Sequence, residues 1–117
     1  MIFQVRTDNH IENSQELKNE IRDEVDAVLI PRFGEQIRRV EIYLQDTNSG
    51  SKEGGLDKRC GVEVHLAGYP AMMAEDRGDT VEQAVSGALG KMLNALTKAI
   101  GRLQDRGDTV SMSGEAT

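Results

Sequence analysis

The stretch Arg39-Val40-Glu41-Ile42-Tyr43-Leu44 decides the fold, because aliphatic side chains occupy every second position along it. Successive side chains of a β-strand point to opposite faces of the sheet, so this pattern is typical of a strand with one face in the core and one in water. Val40, Ile42 and Leu44 share the inner face, and Arg39, Glu41 and Tyr43 the outer one. We predict a strand from about Gln36 to Gln45.

Three further segments have strand patterns. The strongest runs from about Lys58 to Ala67, with Cys60, Val62, Val64 and Leu66 facing inward and Arg59, Glu63 and His65 outward. Residues 2–7 alternate with Phe3 and Val5 on one side, and residues 71–74 are predicted to form a short last strand. The polar and glycine-rich segment 46–55 is predicted to be a flexible loop.

Two segments have helical periodicity. In the first, Asn13 and Glu16 are spaced as a capping box, and a stripe at helical spacing follows, formed by Leu17, Ile21, Val25 and Val28. Pro31 disfavours helical geometry at Ile30, so this helix is expected to end near there.

The second helix is predicted to begin at a capping box of Asp79 and Glu82. Its apolar side comprises Val81, Val85, Ala88, Leu89, Met92, Leu96, Ala99, Ile100 and Leu103. A glycine inside a helix costs about 1 kcal/mol relative to Ala, and this helix contains three, namely Gly87, Gly90 and Gly101. We interpret these small residues as positions that allow close packing of the helix.

The element order is therefore β-α-β-β-β-α, an α+β fold in which a four-stranded sheet has two helices packed on one face and water on the other. We predict one domain over residues 1–104 and a disordered C-terminal tail over residues 105–117, where the sequence becomes polar and small.

Composition narrows the function classes. The 117 residues are 38% hydrophobic and 29% charged, which predicts one globular domain. The segment Met1-Ile2-Phe3-Gln4-Val5-Arg6 lacks the basic and apolar regions of a signal peptide, and no run of 18 apolar residues predicts a membrane span. The simplest expected compartment is the cytoplasm. The net charge of −6 argues against a generic, whole-surface nucleic-acid binder. A local basic stripe remains compatible with this net charge, because salt screening limits the distance over which each charge acts to about 8–10 Å.

No catalytic constellation is visible, and we predict no enzyme, cofactor, metal site or small-molecule substrate. Cys60 shares the inward parity of its strand and is expected to be a core thiol. His65 lies on the outer face and His10 in a loop, neither with a partner at motif spacing. Gly50, Gly54 and Gly55 do not form a phosphate-binding fingerprint.

Basic side chains form a stripe on the last helix. Lys91, Lys98 and Arg102 lie within roughly 40° of one another around a helix, beside its apolar face. Lys18 and Arg22 form a smaller pair on the first helix, and if the helices pack side by side both sets would line one surface suited to phosphates. The alternative is simple solvation, with nearby carboxylates neutralising the pair, namely Glu16, Asp23 and Asp26.

The chain resembles the ribosome hibernation-promoting factor and ribosome-associated inhibitor family over about residues 1–104. The closest similarity lies in the last helix, in Asp79-Thr80-Val81-Glu82-Gln83-Ala84-Val85, Lys91-Met92 and Leu96-Thr97-Lys98. The opening Gln4-Val5-Arg6-Thr7-Asp8-Asn9, with Ile11-Glu12, is similar to the family's first strand and cap. Arg39-Val40-Glu41-Ile42 and Cys60-Gly61-Val62-Glu63-Val64 resemble its second and third strands.

The resemblance implies a fold like that of a double-stranded RNA-binding domain, and a non-enzymatic factor that silences idle ribosomes by binding the small ribosomal subunit at the mRNA and tRNA channel. The family's RNA contacts come largely from helix Lys and Arg residues, which match Lys91, Lys98 and Arg102 here. Lys18, Arg22, Arg38 and Arg39 are the less specific candidates for contact with rRNA phosphates. We find no match to the longer members' dimerising domain in these residues and expect no pairing of ribosomes by that route.

A second interpretation belongs to a different class. Typical members are more basic, and several basic positions of their last helix are here Asn94, Ala95 and Gly101. The chain would then be an acidic interaction module that has kept the fold, lost tight RNA binding and acts through a protein partner.

Overall fold

The chain folds into a four-stranded sheet with helices on one face, as the sequence predicts. The computed structural model describes residues 1–8, 11–46 and 58–112, with side chains as far as residue 101. The elements are β1 (Ile2–Thr7), α1 (Gln15–Val28), α2 (Ile30–Phe33), β2 (Ile37–Asp46), β3 (Lys58–Leu66), β4 (Met72–Gly78) and α3 (Val81–Met112). A single 3₁₀ turn, Gly34–Gln36, joins α2 to β2.

The sheet is mixed, with the strands in the spatial order β1-β2-β3-β4. Strand β1 runs parallel to β2, so α1 and α2 form the crossover between them, and the other neighbours pair antiparallel. The register between β2 and β3 shifts between Ile37 and Arg39. Because of this β-bulge, Ile37 and Val40 are both buried although they lie three positions apart.

The core lies between the helices and one face of the sheet. Val40, Ile42, Val62 and Val64 are fully buried, as the alternation in β2 and β3 predicts. Helix α3 packs on β3 and β4, and it contributes the largest set of buried helical side chains, namely Ala84, Val85, Ala88, Leu89, Met92, Leu96 and Ile100. The opposite face of the sheet carries no helix among the described residues.

Both predicted helix caps are wrong by one residue. Ser14, not Asn13, caps α1, because its Oγ accepts a hydrogen bond from the amide of Leu17 at 3.1 Å. Asn13 instead donates from Nδ2 to the carbonyl of Val5 at 3.1 Å, which ties the start of the helix to β1.

At α3 the capping residue is Thr80, whose Oγ1 accepts from the amide of Gln83 at 3.1 Å. Gln83 reaches back through Oε1 to the amide of Asp79 at 2.9 Å. The pair that carries the capping function is thus Thr80 and Gln83 rather than Asp79 and Glu82, because Thr80 directly precedes Val81, the first residue of the helix.

The first helix ends at Val28, close to the predicted end near Ile30. Ile30 is nevertheless helical, because Pro31 lies in the first turn of α2, where the N–H that proline lacks would have no partner within the helix. Two other boundaries differ from the predictions. Strand β4 extends to Gly78 instead of ending at residue 74. Helix α3 continues to Met112, past the predicted domain end at residue 104, while the disorder of residues 105–117 stays a prediction.

Candidate nucleic-acid interface

Lys91 lies on the flank of α3 that faces β4, and Lys98, seven residues later, lies on the same side of the helix. Both side chains are exposed and outside the apolar face. Lys91 Nζ lies 3.4 Å from Oδ1 of Asp76, a residue of β4. The pKa of Asp76 is lowered, first by the hydrogen bond from the amide of Arg77 and then by Lys91. Among the described residues Lys98 makes no ion pair, so its charge is fully available to a partner.

Lys18 and Arg22 lie at the other side of the helical layer, next to β1. Lys18 is half-buried and lines a depression with Phe3 and Arg6. The guanidinium of Arg22 lies over the ring of Phe3, 5.3 Å from its centroid, and its Nε donates to Asp26 at 3.2 Å. Both cations are therefore held against the first strand.

The structure separates the two basic sets that the sequence analysis placed on one surface. Arg22 contacts β1 and Lys91 contacts β4, which are the opposite edges of the sheet. Three strand spacings amount to roughly 14 Å, which exceeds the Debye length of about 8–10 Å. Between the sets lies a groove lined by carboxylates, those of Glu20, Glu24 and Glu82. The two basic sets therefore do not form one continuous surface, although α1 and α3 are in contact.

The remaining candidates are dispersed as well. Arg38 is exposed at the bulge of β2, and Arg39 lies on the open face of the sheet, where it is paired with Glu41. Arg102 belongs to α3, but its side chain lies outside the described part of the chain. The predicted residues thus occupy at least three separate places.

A network of charged side chains, unexpected from the sequence, covers the open face of the sheet. Glu41 and Glu63 lie directly opposite each other in the register of β2 and β3. Tyr43 hydrogen-bonds to both carboxylates, and the contact with Glu63 measures 3.2 Å. His65 Nε2 lies 3.0 Å from Glu63. The tyrosine hydroxyl therefore bridges two acids that would otherwise repel each other across the strands.

The network changes the ionisation of its members. The pKa of Glu41 is lowered, first by its hydrogen bond with Tyr43 and further by Arg39 and Arg6, against an opposing effect of burial. The same hydrogen bond is the main cause that raises the pKa of Tyr43 to about 12. Glu41 is buried although it belongs to the solvent-facing parity, because its neighbours on the open face cover it.

The open face of the sheet also carries more arginines than helix α1. Its alternating positions carry four arginines and three glutamates, namely Arg6, Arg39, Arg59, Arg77, Glu41, Glu63 and Glu75. Helix α1 instead carries five carboxylates and two basic residues. The outward parity of Arg39 and Arg59 was visible in the sequence, but their neighbours on β1 and β4 become known only from strand order.

Cys60 is fully buried, as its parity predicts, and burial is the main cause that raises its pKa to about 12, with smaller contributions from Glu24 and Asp76. The thiol is therefore protonated at neutral pH. His65 lies on the outer face, as predicted, while His10 lies outside the described residues. The described residues contain no cluster of three or more His, Cys, Asp or Glu side chains that fits a metal ion. They also contain no helix long and apolar enough to cross a membrane.

Comparisons with known proteins agree with this architecture. A family model described as "Sigma 54 modulation protein / S30EA ribosomal protein" matches residues 4–104. A ribosomal subunit interface protein from Coxiella burnetii superposes with a TM-score of 0.68 at 16% identity, covering 86% of this chain and 99% of that one. The N-terminal domain of Protein Y from Thermus thermophilus gives 0.64 at 13% identity, covering 83% and 96%. No curated protein matches the chain in sequence.

Proposed function

Because the chain belongs to the Sigma 54 modulation protein / S30EA ribosomal protein family, we propose that it is a ribosome-associated hibernation factor that binds the small ribosomal subunit near the decoding channel. The observation that carries the proposal is the family match over residues 4–104, which covers β2, β3 and β4 completely and most of β1 and α3. Inhibition of translation then needs no catalysis, since a domain seated in the channel excludes mRNA and tRNA. The proposed partner places the protein in the cytosol.

In this proposal the basic flank of α3 holds phosphates of the rRNA. Lys91 and Lys98 project from one side of a helix whose opposite side is fixed in the core by Leu89, Met92 and Leu96. Phosphate contacts of this kind position a protein on RNA without reading its bases. Lys98 is the stronger candidate of the two, because Lys91 is already paired with Asp76.

The separation of the basic sets makes the proposal testable in parts. Lys91→Glu/Lys98→Glu changes the β4 side and Lys18→Glu/Arg22→Glu changes the β1 side, and both double variants lower the net charge by the same amount. Any difference between them in co-sedimentation with purified small subunits therefore reports location and not total charge. We expect the β4-side variant to bind more weakly and to show a flatter salt dependence.

Binding measured at several salt concentrations gives the size of the expected effect. Each phosphate contact contributes roughly 0.7–0.9 to the slope of log affinity against log salt concentration, so losing two contacts lowers the slope by about 1.5. Thermal melting of each variant shows that the fold is kept. Equal losses in both variants would mean that both edges contact the subunit, and no loss in either would place the contact surface elsewhere.

The second candidate, an acidic module that acts through a protein partner, is favoured by the carboxylates of α1 and of the groove beside α3. Glu24 accepts a hydrogen bond from Ser86 across this groove, and Glu20 and Glu82 line it. Absence of wild-type binding to small subunits at low salt would favour this candidate.

A further inference from the structure

The open face of the sheet contains a depression above the pair Tyr43 and Gly61, which are directly opposite in β2 and β3. Its volume is about 440 Å³, within the range of small-ligand sites. It exists because Gly61 has no side chain beside the tyrosine ring. A Cβ there would lie 3.8 Å from Tyr43 Cβ, an ordinary contact, so a larger residue would fit the backbone and fill the space.

In this depression the aromatic ring of Tyr43, and not its hydroxyl, is the group that can contact a ligand. Tyr43 uses its hydroxyl in hydrogen bonds to Glu41 and Glu63, which anchor the half-buried ring on the sheet. On β4, Met73 lines the same depression and is 64% exposed, the most exposed large hydrophobic side chain among the described residues. An aromatic ring flanked by a thioether favours a flat apolar ligand.

One cation and one carboxylate, those of Arg59 and Glu75, line the depression and are paired, so a phosphate would bind Arg59 in place of Glu75. Arg59 lies at the rim, where Glu75 and Gln45 hold its guanidinium. The nearby carboxylate of Glu41 is already paired with Arg39 and with Arg6. A flat aromatic group joined to a phosphate is the chemistry of a nucleotide, and stacking on an aromatic side chain beside a cation is how single strands are bound.

We propose that the depression formed by Tyr43, Gly61 and Met73 binds one unpaired nucleobase of a single-stranded RNA, with the adjoining phosphate on Arg59. The proposal rests on the proposed function, for which it supplies a second contact surface on the side of the molecule away from the helices. The base stacks on the ring of Tyr43, so the site tolerates any base and does not depend on the hydroxyl.

The test uses short single-stranded oligoadenylate and oligouridylate, with an RNA duplex as control ligand. The chain has two tyrosines, so Tyr69→Phe leaves the fluorescence of Tyr43 alone as the signal. We expect single strands to quench this fluorescence on binding and the duplex to leave it unchanged. Gly61→Val should weaken binding by roughly 5- to 100-fold, the effect of losing one stacked base.

Two further variants keep the test decisive. Gly61→Ala, whose Cβ has room, replaces Gly61→Val if the latter does not fold, and it should cause a smaller loss of affinity. Tyr43→Leu removes the stacking ring and should bind far more weakly. Because this variant lacks the tyrosine signal, its affinity and that of the wild type are compared by the fluorescence anisotropy of a dye-labelled oligonucleotide. The proposed site is refuted if the wild type binds no oligonucleotide, or if Tyr43→Leu and Gly61→Val bind it as tightly as the wild type.

Co-sedimentation with small subunits, measured in parallel, distinguishes failure of this site from failure of the proposed function. A wild type that binds subunits but no oligonucleotide refutes the base site and leaves the proposed function intact. A wild type that binds oligonucleotide through Tyr43 but no subunit refutes the proposed function and supports the site. Gly61 variants that keep both wild-type oligonucleotide binding and wild-type co-sedimentation would also count against the base site.

Discussion

The carboxylate of Asp76 occupies the space in which a side chain at Gly87 would have to lie. A Cβ built on Gly87 comes within 2.0 Å of Asp76 Oδ2 and 3.1 Å of Asp76 Cβ. Since the second contact involves the root of the side chain, rotation of the carboxylate alone would not relieve it. Helix α3 thus approaches β4 closely at this glycine, and Lys91, one turn later, pairs with the same carboxylate.

This contact predicts opposite effects for two glycine substitutions in α3. Gly87→Ala should lower the free energy of unfolding by about 1–3 kcal/mol, the cost of overpacking, despite the better helix propensity of alanine. Gly90→Ala, with nothing within 4 Å of its added Cβ, should raise it by about 0.8–1 kcal/mol. Urea denaturation of both variants decides the matter, and equal stabilities would contradict the close approach at Gly87.

The core assignment predicts that a charge on the inner face of the sheet prevents folding. Ile42 and Val64 are fully buried, so Ile42→Asp or Val64→Asp should cost at least about 4 kcal/mol, much of the stability of a typical domain. Met73→Asp on the open face is the matched control and should melt near the wild-type temperature. A cooperative, wild-type-like melt of Val64→Asp would show that the strand faces are misassigned.

Cys60 should behave as an inert core thiol. It is fully buried and its pKa is raised to about 12, mainly by burial, so a thiol reagent should label the native protein only through unfolding. Cys60→Ala should lower the free energy of unfolding by about 1 kcal/mol through the small cavity it leaves, and should not alter ribosome binding. Rapid labelling without denaturant would place the thiol at the surface.

The bridge between Tyr43 and Glu41 predicts a dependence of stability on pH at the alkaline end. The pKa of Tyr43 is raised to about 12 in the folded protein, against about 10 in an unfolded chain. The folded state holds the proton more tightly, so this stabilisation is complete below about pH 10 and is lost as the pH rises toward 12. Absorbance titration of the Tyr69→Phe variant should show a single tyrosinate transition near pH 12, and a transition near pH 10 would exclude the bridge.

At the acidic end the sign is reversed, because the pKa of Glu41 is lowered in the folded state. Its contribution to stability is present above the unfolded pKa of about 4.3 and is lost as the pH falls through the lower folded value. Tyr43→Phe removes the main cause of the shift, so the stability difference between wild type and variant should shrink below about pH 4. A difference that stays constant between pH 3 and pH 7 would show that the hydroxyl does not act on Glu41.

Local patterns carried most of the fold prediction. Alternation in residues 39–44 and 60–66 identified the buried face of the central strands, because the pleat places every second side chain on the same side. The caps were displaced by one residue, since Asn13 and Asp79 also belong to the residue types that cap helices. When two adjacent residues can both cap a helix, the local sequence does not show which one does, because tertiary contacts determine it.

The candidate site was less predictable, because it depends on which elements become neighbours. The sequence by itself determined the strand and helix faces, the buried thiol of Cys60 and the basic flank of α3, all consequences of periods of two or 3.6 residues. Only the tertiary structure decided that Lys18 and Lys91 lie at opposite edges of the sheet, and that Tyr43 faces the empty position of Gly61. Strand order and register set these distances, and they arise from packing of the whole core rather than from any one segment.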